Sequence, residues 1–351
     1  ALEKYKNNYH KYFKTNIQSY GVDKKELDPL PRIILVAGLG LVTIGKSVRE
    51  TEIAADIYQH TISIIRKSFN IGQFSPLKGN DLFDMEYWSL EQAKIKKTKK
   101  ILEGNVVVVT GSTGTIGYAA YKMFKSYGAE VVLLDYNLEK IKDLQSKIKD
   151  LCIHCDVTNK KSVKSAFKQI CEKFGGIDIL ISNAGTAPGG AIGEVSDDVL
   201  RKSFEINFFS HQNCASEAIK IMKKQNINGC LLFNISKQSV NPGKNFGPYG
   251  LPKAALLSLC KQYAVDYGSY DIRSNGVNAD RIRSGLMNDK MIRTRAKARS
   301  ISTDDYMRGN LLLNEVKAED VAKAFFHLAT SKKTTGAVLT VDGGNIAASL
   351  R

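Results

Sequence analysis

Hydrophobic residues after position 100 fall into short apolar runs separated by longer segments in which apolar residues recur at helical spacing. Short apolar runs of this kind are typical of strands buried in a parallel sheet. They predict seven strands, at residues 106–109, 131–134, 151–155, 177–181, 230–235, 274–277 and 337–341. The alternation of strands and helices predicts an α/β fold, with a doubly wound parallel sheet covered by helices on both faces.

The first part of the chain carries fewer patterns and predicts a small N-terminal α/β segment over residues 1–95. Residues 2–19 form a lysine-rich amphipathic helix candidate, and residues 32–37 form an apolar strand ended by Gly38-Leu-Gly40. Residues 47–69 predict a long helix with four isoleucines on one side, Ile53, Ile57, Ile64 and Ile65. A basic linker is predicted at 96–100, before a second domain at 101–351.

Composition places the chain among ordinary globular proteins, since 43% of its 351 residues are hydrophobic and 25% are charged. No apolar run is long enough for a transmembrane helix, and the charged start does not resemble a signal peptide. The six cysteines are scattered and do not resemble a secreted disulfide framework. Cys152 and Cys155 form a C-x-x-C motif but lie in a strand pattern, which favours small core residues in a cytoplasmic protein over a redox or metal site.

The formal net charge of +16 raises the question of an anionic partner. Lysines are spread along the whole chain, and no basic stripe is interleaved with aromatic residues. This distribution favours a lysine-rich solvated surface over nucleic-acid binding, and no membrane partner is expected.

A glycine-rich turn joins the first strand of the second domain to the following helix, in the sequence Thr-Gly-Ser-Thr-Gly-Thr-Ile-Gly ending at Gly117. Glycines at such a turn let backbone N–H groups face a pyrophosphate at the positive end of a helix. Asp135 follows at the tip of the second strand, where a carboxylate binds ribose hydroxyls and repels a 2′-phosphate. The sequence therefore predicts NAD as cofactor, with NADP less favoured.

Tyr249 and Lys253 lie one helical turn apart, so a helix starting near Tyr249 places both on one face and leaves Pro252 in its first turn. A neighbouring ammonium and an oxidised nicotinamide would lower the pKa of the phenol and let it exchange a proton near neutral pH. Ser236 follows an apolar strand, at the strand end where such sheets bind ligands. Singly, each residue has an ordinary structural interpretation, and the combination favours catalysis.

In these motifs the chain from 101 to 351 resembles the short-chain dehydrogenase/reductase family, which implies a Rossmann fold. Asp156-Val157, Asn183-Ala-Gly185 and the closing strand with Val341-Asp-Gly-Gly344 resemble further family motifs. The resemblance implies a catalytic tetrad of Asn207, Ser236, Tyr249 and Lys253. It implies cofactor contacts from Gly111, Thr113, Thr115, Ile116, Gly117, Asp135, Asp156, Val157, Asn183, Ala184, Gly185, Tyr249, Lys253 and Ile282.

The chain departs from this family at two places. Thr115 occupies the position of the usual middle glycine, and Ala279-Asp280 replaces the usual Pro-Gly after the sixth strand. The second departure affects the contacts expected on the nicotinamide side, although Ile282 and Ser284 keep compatible residue types.

A narrower similarity links residues 31–40, 54–57 and 81–94 to the end of the aldolase half of bifunctional rhamnulose-1-phosphate aldolase/alcohol dehydrogenase proteins. That half needs several histidine ligands for zinc, whereas this segment has only His10 and His60. We therefore expect no metal site and no aldolase activity, with the segment being a remnant or a docking cap. The similarity implies a small hydroxyaldehyde, sugar or polyol as substrate.

Seven basic residues crowd the segment where the family has its substrate lid: Arg281, Arg283, Lys290, Arg293, Arg295, Lys297 and Arg299. Two interpretations are open: some of these residues bind a carboxylate or phosphate of the substrate, or the segment is an exposed mobile lid with solvated charges. The pattern of charges favours the second interpretation. The family resemblance implies a homodimer or homotetramer. The alternative function is a catalytically silent nucleotide-binding or scaffold protein on the same fold.

Overall fold

A computed structural model describes residues 1–95 and 100–345 of the chain. The protein divides into two compact units, Ala1–Gly104 and Asn105–Arg351. Of the basic linker predicted at 96–100, residues 96–99 lie outside the described residues.

The first unit combines helices with a small antiparallel hairpin. Its elements are α1 (Leu2–Tyr20), β1 (Ile33–Val36), β2 (Gly40–Thr43), α2 (Val48–Ser68), α3 (Gly79–Glu86) and α4 (Ser89–Ile95). The sequence predicted α1, β1 and α2 but not β2. The glycines that were interpreted as the end of a strand instead turn the chain back, with φ of +78° at Gly38 and +117° at Gly40. Residues 40–43 then pair with β1 in antiparallel register.

Aromatic side chains from α1 and α3 form the packed centre of this unit. Phe83 and Tyr87, each 3% exposed, lie against the rings of Tyr12, Phe13 and Tyr20. The hydroxyls of Tyr9 and Tyr12 donate to the Glu86 carboxylate at 3.0 and 3.1 Å. The cluster therefore joins α1 to α3 through rings on one side and tyrosine–carboxylate hydrogen bonds on the other.

Helix α2 forms as predicted, with Ser47 accepting a hydrogen bond from the Glu50 N–H as its N-cap. Its isoleucine face is not buried as the amphipathic pattern implied. Ile53 is 47% exposed, Ile57 61% and Ile64 49%, and no residue along the whole described helix is fully buried.

The second unit contains a parallel sheet of seven strands within residues 100–345. The strands are β3 (Val106–Thr110), β4 (Glu130–Asp135), β5 (Cys152–His154), β6 (Ile179–Ser182), β7 (Gly229–Asn234), β8 (Ile272–Ala279) and β9 (Val338–Val341). They lie in the order β5-β4-β3-β6-β7-β8-β9, and every pairing is parallel. The predicted doubly wound α/β fold is confirmed, with each strand lying at or within about two residues of its predicted position.

Helices flank this sheet. They are α5 (Thr115–Ser126), α6 (Leu138–Lys147), α7 (Lys160–Phe174), α8 (Asp197–Phe204), α9 (Ser210–Gln225), α10 (Gly247–Tyr267), α11 (Asp289–Lys297), α12 (Thr303–Met307) and α13 (Ala318–Thr330). Helices α7, α9 and α10 share one buried cluster with the strands, and α5 packs against α13. Among the described helices, none combines the length and the apolar character that crossing a membrane requires.

The strand order reverses direction between β3 and β6, which are adjacent in the sheet but separated in sequence by β4 and β5. In open parallel sheets a crevice opens beyond the carboxyl ends of the strands at this point, and ligands bind there. The helix that carries Tyr249 and Lys253 begins near Tyr249 as predicted, since α10 starts two residues earlier at Gly247. Pro252 therefore lies in the interior of α10 and not in its first turn. Because proline has no N–H, the helix loses one backbone hydrogen bond at that position.

Candidate active site

A cleft of about 940 Å³ lies at this edge of the sheet. It is lined by loops that follow β3, β4, β5 and β6, by part of α8 and the turn after it, and by residues 284–286 beyond β8. The predicted cofactor residues that line it are Gly111, Thr113, Thr115, Ile116, Asp135, Asp156, Val157, Asn183, Ala184 and Gly185. The predicted contacts Gly117, Tyr249, Lys253 and Ile282 do not line it.

The backbone of the glycine-rich turn lies so close to neighbouring atoms that side chains would not fit at Gly111 or Gly117. Gly111 has a φ of +62°, and a Cβ added there would lie 2.9 Å from the Cα of Ala184. A Cβ on Gly117 would collide with the carbonyl oxygen of Gly111. No side chain caps the start of α5 at Gly114, while Thr115 and Ile116 line the cleft. The uncapped first turn of this helix can therefore bind an anion through backbone N–H groups.

The Asp135 carboxylate, which lines the cleft, is fixed by three hydrogen bonds. The backbone N–H and the hydroxyl of Thr113 both donate to its Oδ2 at 2.9 Å, and the N–H of Asn137 donates to Oδ1 at 3.0 Å. An ionised carboxylate has about four acceptor positions, so the carboxylate keeps acceptor capacity towards the cleft. Tyr136 and Lys140 line the same cleft.

An asparagine amide bridges three strand ends across the crevice. The Nδ2 of Asn183 donates to the carbonyl oxygens of Thr110 and Gly111, and its Oδ1 accepts from the Nδ2 of Asn234 at 2.8 Å. The carbonyl of Asn234 in turn accepts from the Lys253 ammonium at 2.8 Å. The structure thus connects the glycine-rich turn to Lys253 through two asparagines.

Lys253 is 3% exposed, and burial lowers the pKa of its ammonium to about 7. Its Nζ lies 5.9 Å from the centre of the Tyr249 ring, which confirms that the two residues share one face of α10. An ammonium has three donors, of which one is used by Asn234 among the described residues. The others remain for a ligand.

Tyr249 and Ser236 come together although they lie on different elements. Burial raises the pKa of the Tyr249 phenol, and the nearby Ser236 hydroxyl lowers it by a smaller amount. The lowering was predicted for the site with an oxidised nicotinamide bound, and in the protein alone desolvation of the phenolate outweighs the interaction that favours it.

Asn207 lies in a π-helical turn at Glu205–Phe209, between α8 and α9. Such turns are rare and frequent at functional sites. Its buried amide accepts from the backbone N–H of Thr186 at 3.1 Å and donates to the Ser203 hydroxyl at 2.9 Å. A Cβ on Gly185 would lie 2.9 Å from the Asn207 Oδ1 and 3.8 Å from the Lys253 Nζ, so Asn207 and Lys253 flank the same glycine.

Of the remaining predicted residues, Asp156 lines the cleft and Ile282 is buried. The Asp156 carboxylate accepts hydrogen bonds from the N–H and the hydroxyl of Thr158. Cys152 and Cys155 are buried, and burial raises the pKa of each thiol to about 11, which fits inert core residues. Within the described parts of the chain, no three His, Cys, Asp or Glu side chains lie close enough to hold a metal ion.

Several cleft residues were not predicted from the sequence, among them Lys140, Lys202, Glu205 and Asn234. Asn234 lies two residues before Ser236, so the alternation of a strand could have indicated that both lie on one side of the sheet. Lys202 and Glu205 give no such signal, because charged residues on a helix are ordinarily solvated.

Two of the seven basic lid residues pair with carboxylates. Arg283 donates through Nε to Glu315 at 2.7 Å, and the Arg281 Nε lies 3.4 Å from the Asp280 Oδ2. Arg295 packs instead with its guanidinium carbon 3.8 Å from the centre of the Phe246 ring. These three side chains therefore stabilise the segment at 281–299.

The family described as enoyl-(acyl carrier protein) reductase matches residues 111–345 of this chain. Short chain aldehyde dehydrogenase 1 of Euphorbia lathyris is 31% identical, with 70% of this chain and 90% of that protein covered. The chain belongs to the short-chain dehydrogenase/reductase family. The resemblance that the sequence motifs indicated is confirmed, and the protein is an oxidoreductase of this family.

The first unit has a separate match, to the second domain of class II aldolases over residues 1–95. The uncharacterized oxidoreductase YuxG of Bacillus subtilis is similar along the whole chain, with 33% identity over 100% of this chain and 53% of YuxG. The chain thus spans about half the length of YuxG.

Solved structures of dehydrogenases and reductases share the fold of the second unit. Aldohexose dehydrogenase of Thermoplasma acidophilum is 28% identical, with a TM-score of 0.60 over 68% of this chain and 93% of that one. The 3-ketoacyl-(acyl-carrier-protein) reductase of Brucella melitensis, solved with NADH, is 23% identical, with a TM-score of 0.63 over 69% and 98%. The second likeness bears on the fold alone.

Proposed function

We propose that this short-chain dehydrogenase/reductase interconverts an alcohol and a carbonyl on a small hydroxyaldehyde, sugar or polyol, with NAD as cofactor. The observation that carries the proposal is the buried grouping of the Tyr249 phenol with the Ser236 hydroxyl and with the Lys253 ammonium, whose Nζ lies 5.9 Å from the centre of the phenol ring. A phenol, a hydroxyl and an ammonium in this arrangement can hold a substrate oxygen and exchange its proton.

The residues of the cleft fit a nicotinamide dinucleotide. The uncapped start of α5 is suited to a pyrophosphate, and the Asp135 carboxylate is suited to ribose hydroxyls rather than a 2′-phosphate. The buried Lys253 ammonium has donors left for the second ribose. When bound, NAD supplies the ring carbon that takes up or gives a hydride.

The protein's own part in the reaction is to place and move one proton. Tyr249 Oη takes the proton of the substrate hydroxyl during oxidation and returns it during reduction. Ser236 Oγ donates a hydrogen bond that holds the substrate oxygen beside the phenol. Lys253 in its charged form stabilises the phenolate, and Asn207 orders the backbone next to Lys253 through Thr186. With the pKa of Lys253 near 7, this ammonium can release and regain a proton at neutral pH.

Two similarities support the substrate class. Aldohexose dehydrogenase acts on a sugar, as its name states, and the match at residues 1–95 links the first unit to class II aldolases. We propose no aldolase activity for this chain, because His10 bonds Glu26 and His60 is exposed, which leaves this segment without the usual three-ligand site. We also propose that the first unit is a remnant or a docking cap and that the protein assembles as a homodimer or homotetramer.

The proposal is tested by following NADH absorbance with a panel of small hydroxyaldehydes, sugars and polyols, for the natural chain and two tyrosine variants. Tyr249→Phe should lower kcat by about 10²- to 10⁴-fold, because the phenol proton is lost. NADH binding, measured by calorimetry, should stay unchanged in this variant.

The matched control is Tyr9→Phe, whose hydroxyl bonds Glu86 and Tyr87 in the first unit and should leave kcat unchanged. Turnover that survives Tyr249→Phe would reject this tyrosine as the proton donor. NADH binding by a natural chain that turns over no member of the panel would favour the catalytically silent alternative.

A further inference from the structure

A buried ion pair outside the proposed machinery joins the two segments that flank the reacting end of the cleft. Lys237 directly follows Ser236, and Asp280 directly follows the last residue of β8. The Lys237 ammonium donates to the Asp280 Oδ2 at 2.9 Å. The two side chains are only 18% and 8% exposed. A pair so shielded from water interacts more strongly than one at the surface, and loss of either partner is costly.

The Asp280 carboxylate also interacts with the side chains of two further donors. The Nδ2 of Asn345 donates to the same Oδ2 at 2.6 Å, and the Nε of Arg281 lies 3.4 Å away. The carboxylate therefore ties together the turn after β7, the loop after β8 and the segment after β9. Hydrogen bonds to an ionised group of this kind are about twice as strong as neutral ones.

The loop after β8 is held in an unfavourable backbone conformation at this junction. Arg281 has a φ of +50°, a region that residues with a Cβ seldom occupy. Its guanidinium donates to the carbonyls of Tyr306 at 2.6 Å and Gly309 at 3.1 Å. Such strain persists only where the surroundings fix it, and here Asp280 and Tyr306 hold Arg281 from two sides.

We propose that Asp280 and Lys237 are positioning residues, whose ion pair holds Ser236 Oγ near the Tyr249 phenol and anchors the loop that begins at Asp280 to the turn after β7. The link is direct in the chain, since Lys237 begins the short 3-10 turn Lys237–Ser239 for which Ser236 is the cap. The N–H of Gln238 in that turn donates to the Ser236 Oγ at 3.3 Å. Movement of Lys237 would therefore move the hydroxyl. The inference rests on the proposed function, because it requires Ser236 to hold the substrate oxygen.

The test measures kcat, KM and the calorimetric Kd of NADH for Asp280→Asn and Lys237→Met, each in the natural chain and in a Ser236→Ala background. Lys244→Met, at an exposed lysine of the same connection, is the matched control. In the natural chain each variant should lower kcat about tenfold, because small displacements of a positioning group are costly. The KM and the Kd of NADH should stay within about twofold. In the Ser236→Ala background neither variant should lower kcat further.

Three results would overturn the proposal: kcat within about twofold of the natural chain, an equal additional loss in the Ser236→Ala background, or a loss confined to NADH binding. If Asp280→Asn does not fold, Lys237→Met decides alone, since it leaves Asp280 its bonds to Asn345 and Arg281. The test distinguishes a failure of this inference from a failure of the proposed function. If only this inference is wrong, Tyr249→Phe is inactive while the ion-pair variants keep the kcat of the natural chain. If the proposed function is wrong, Tyr249→Phe keeps its turnover.

Discussion

The two units of this chain use apolar residues in different ways. In the second unit, β3 is buried along its whole length, and Val107, Val108 and Val109 are each 0% exposed. In the first unit, α2 is a longer element with a regular isoleucine stripe, yet Ile57 is 61% exposed. Branched aliphatic side chains thus form a core in one unit and an open face in the other.

This difference shows that periodicity predicts an element but not what covers it. The second unit closes its own core because a parallel sheet receives helices on both faces. The first unit relies on one aromatic cluster around Phe83 and Tyr87 and on tyrosine–carboxylate bonds. We therefore expect most of the folding free energy, and all of the turnover, to reside in the second unit.

The largest effect should come from a matched pair of core deletions. Phe167→Ala removes a ring that is 1% exposed in the main core and should cost about 3–5 kcal/mol of the second unit's stability. Phe83→Ala should destabilise the first unit and leave kcat unchanged. The single tryptophan, Trp88, lies in the first unit, so its fluorescence during urea unfolding reports that unit while NADH turnover reports the other. A loss of kcat in correctly folded Phe83→Ala would contradict the division of roles.

A smaller effect should follow from the buried lysine of the second unit. The pKa of Lys253 is about 7 when folded and 10.5 ordinarily, so the unfolded chain binds more protons between these values. Stability therefore rises with pH across this window, and the penalty for burying the charge is complete below pH 7. Lys253→Met should stabilise the protein by about 2–3 kcal/mol more at pH 6.5 than at pH 9, as measured by urea unfolding. An equal effect at both pH values would show that Lys253 titrates normally.

The next prediction concerns the choice between NAD and NADP, which we expect to depend on the second unit alone. Asp135→Asn should shift the ratio of kcat/KM for NAD over NADP about tenfold towards NADP, because the charge that would repel a 2′-phosphate is lost while Lys140 stays in the lining of the same cleft. Glu86→Gln, a carboxylate change in the first unit, is the control and should leave the ratio unaltered. An unchanged ratio in Asp135→Asn would assign cofactor choice to other residues.

The smallest effect should come from the open face of α2. Ile57→Ala should change the free energy of unfolding, measured by Trp88 fluorescence, by less than about 0.5 kcal/mol, since the side chain is already largely in water. A cost of 2 kcal/mol or more would mean that this face is covered in solution, and the contrast between the two units would weaken.

The sequence predicted those parts of the fold that depend on local patterns. Apolar runs located every strand of the large sheet, and the glycine-rich turn located the crevice. The hairpin partner β2 was missed because the glycines after β1 were interpreted only as the end of a strand, whereas the chain turns at residues 37–39 and continues as β2 from Gly40. The π-helical turn at Asn207 was missed because its extra residue per turn leaves no mark on the hydrophobic pattern.

The site was predictable as a set of residues but not in its electrostatics. Motif spacing indicated that Tyr249, Lys253 and Ser236 belong together. It could not indicate that burial raises the pKa of Tyr249 or lowers that of Lys253, because both shifts depend on how much water the surrounding elements exclude. The Lys237–Asp280 pair is a long-range contact of the same kind, for which adjacent residues in the chain give no signal.

The Asn183 amide has a mechanical consequence for the crevice. It acts as a strut between the ends of β3, β6 and β7, at the point where the sheet divides. The gap cannot widen unless these part-buried amide hydrogen bonds break, so we expect its shape to be set during folding and not on arrival of a ligand. A pre-shaped gap of this kind loses little conformational entropy when it is filled, which favours binding of the long, flexible dinucleotide that we propose as cofactor.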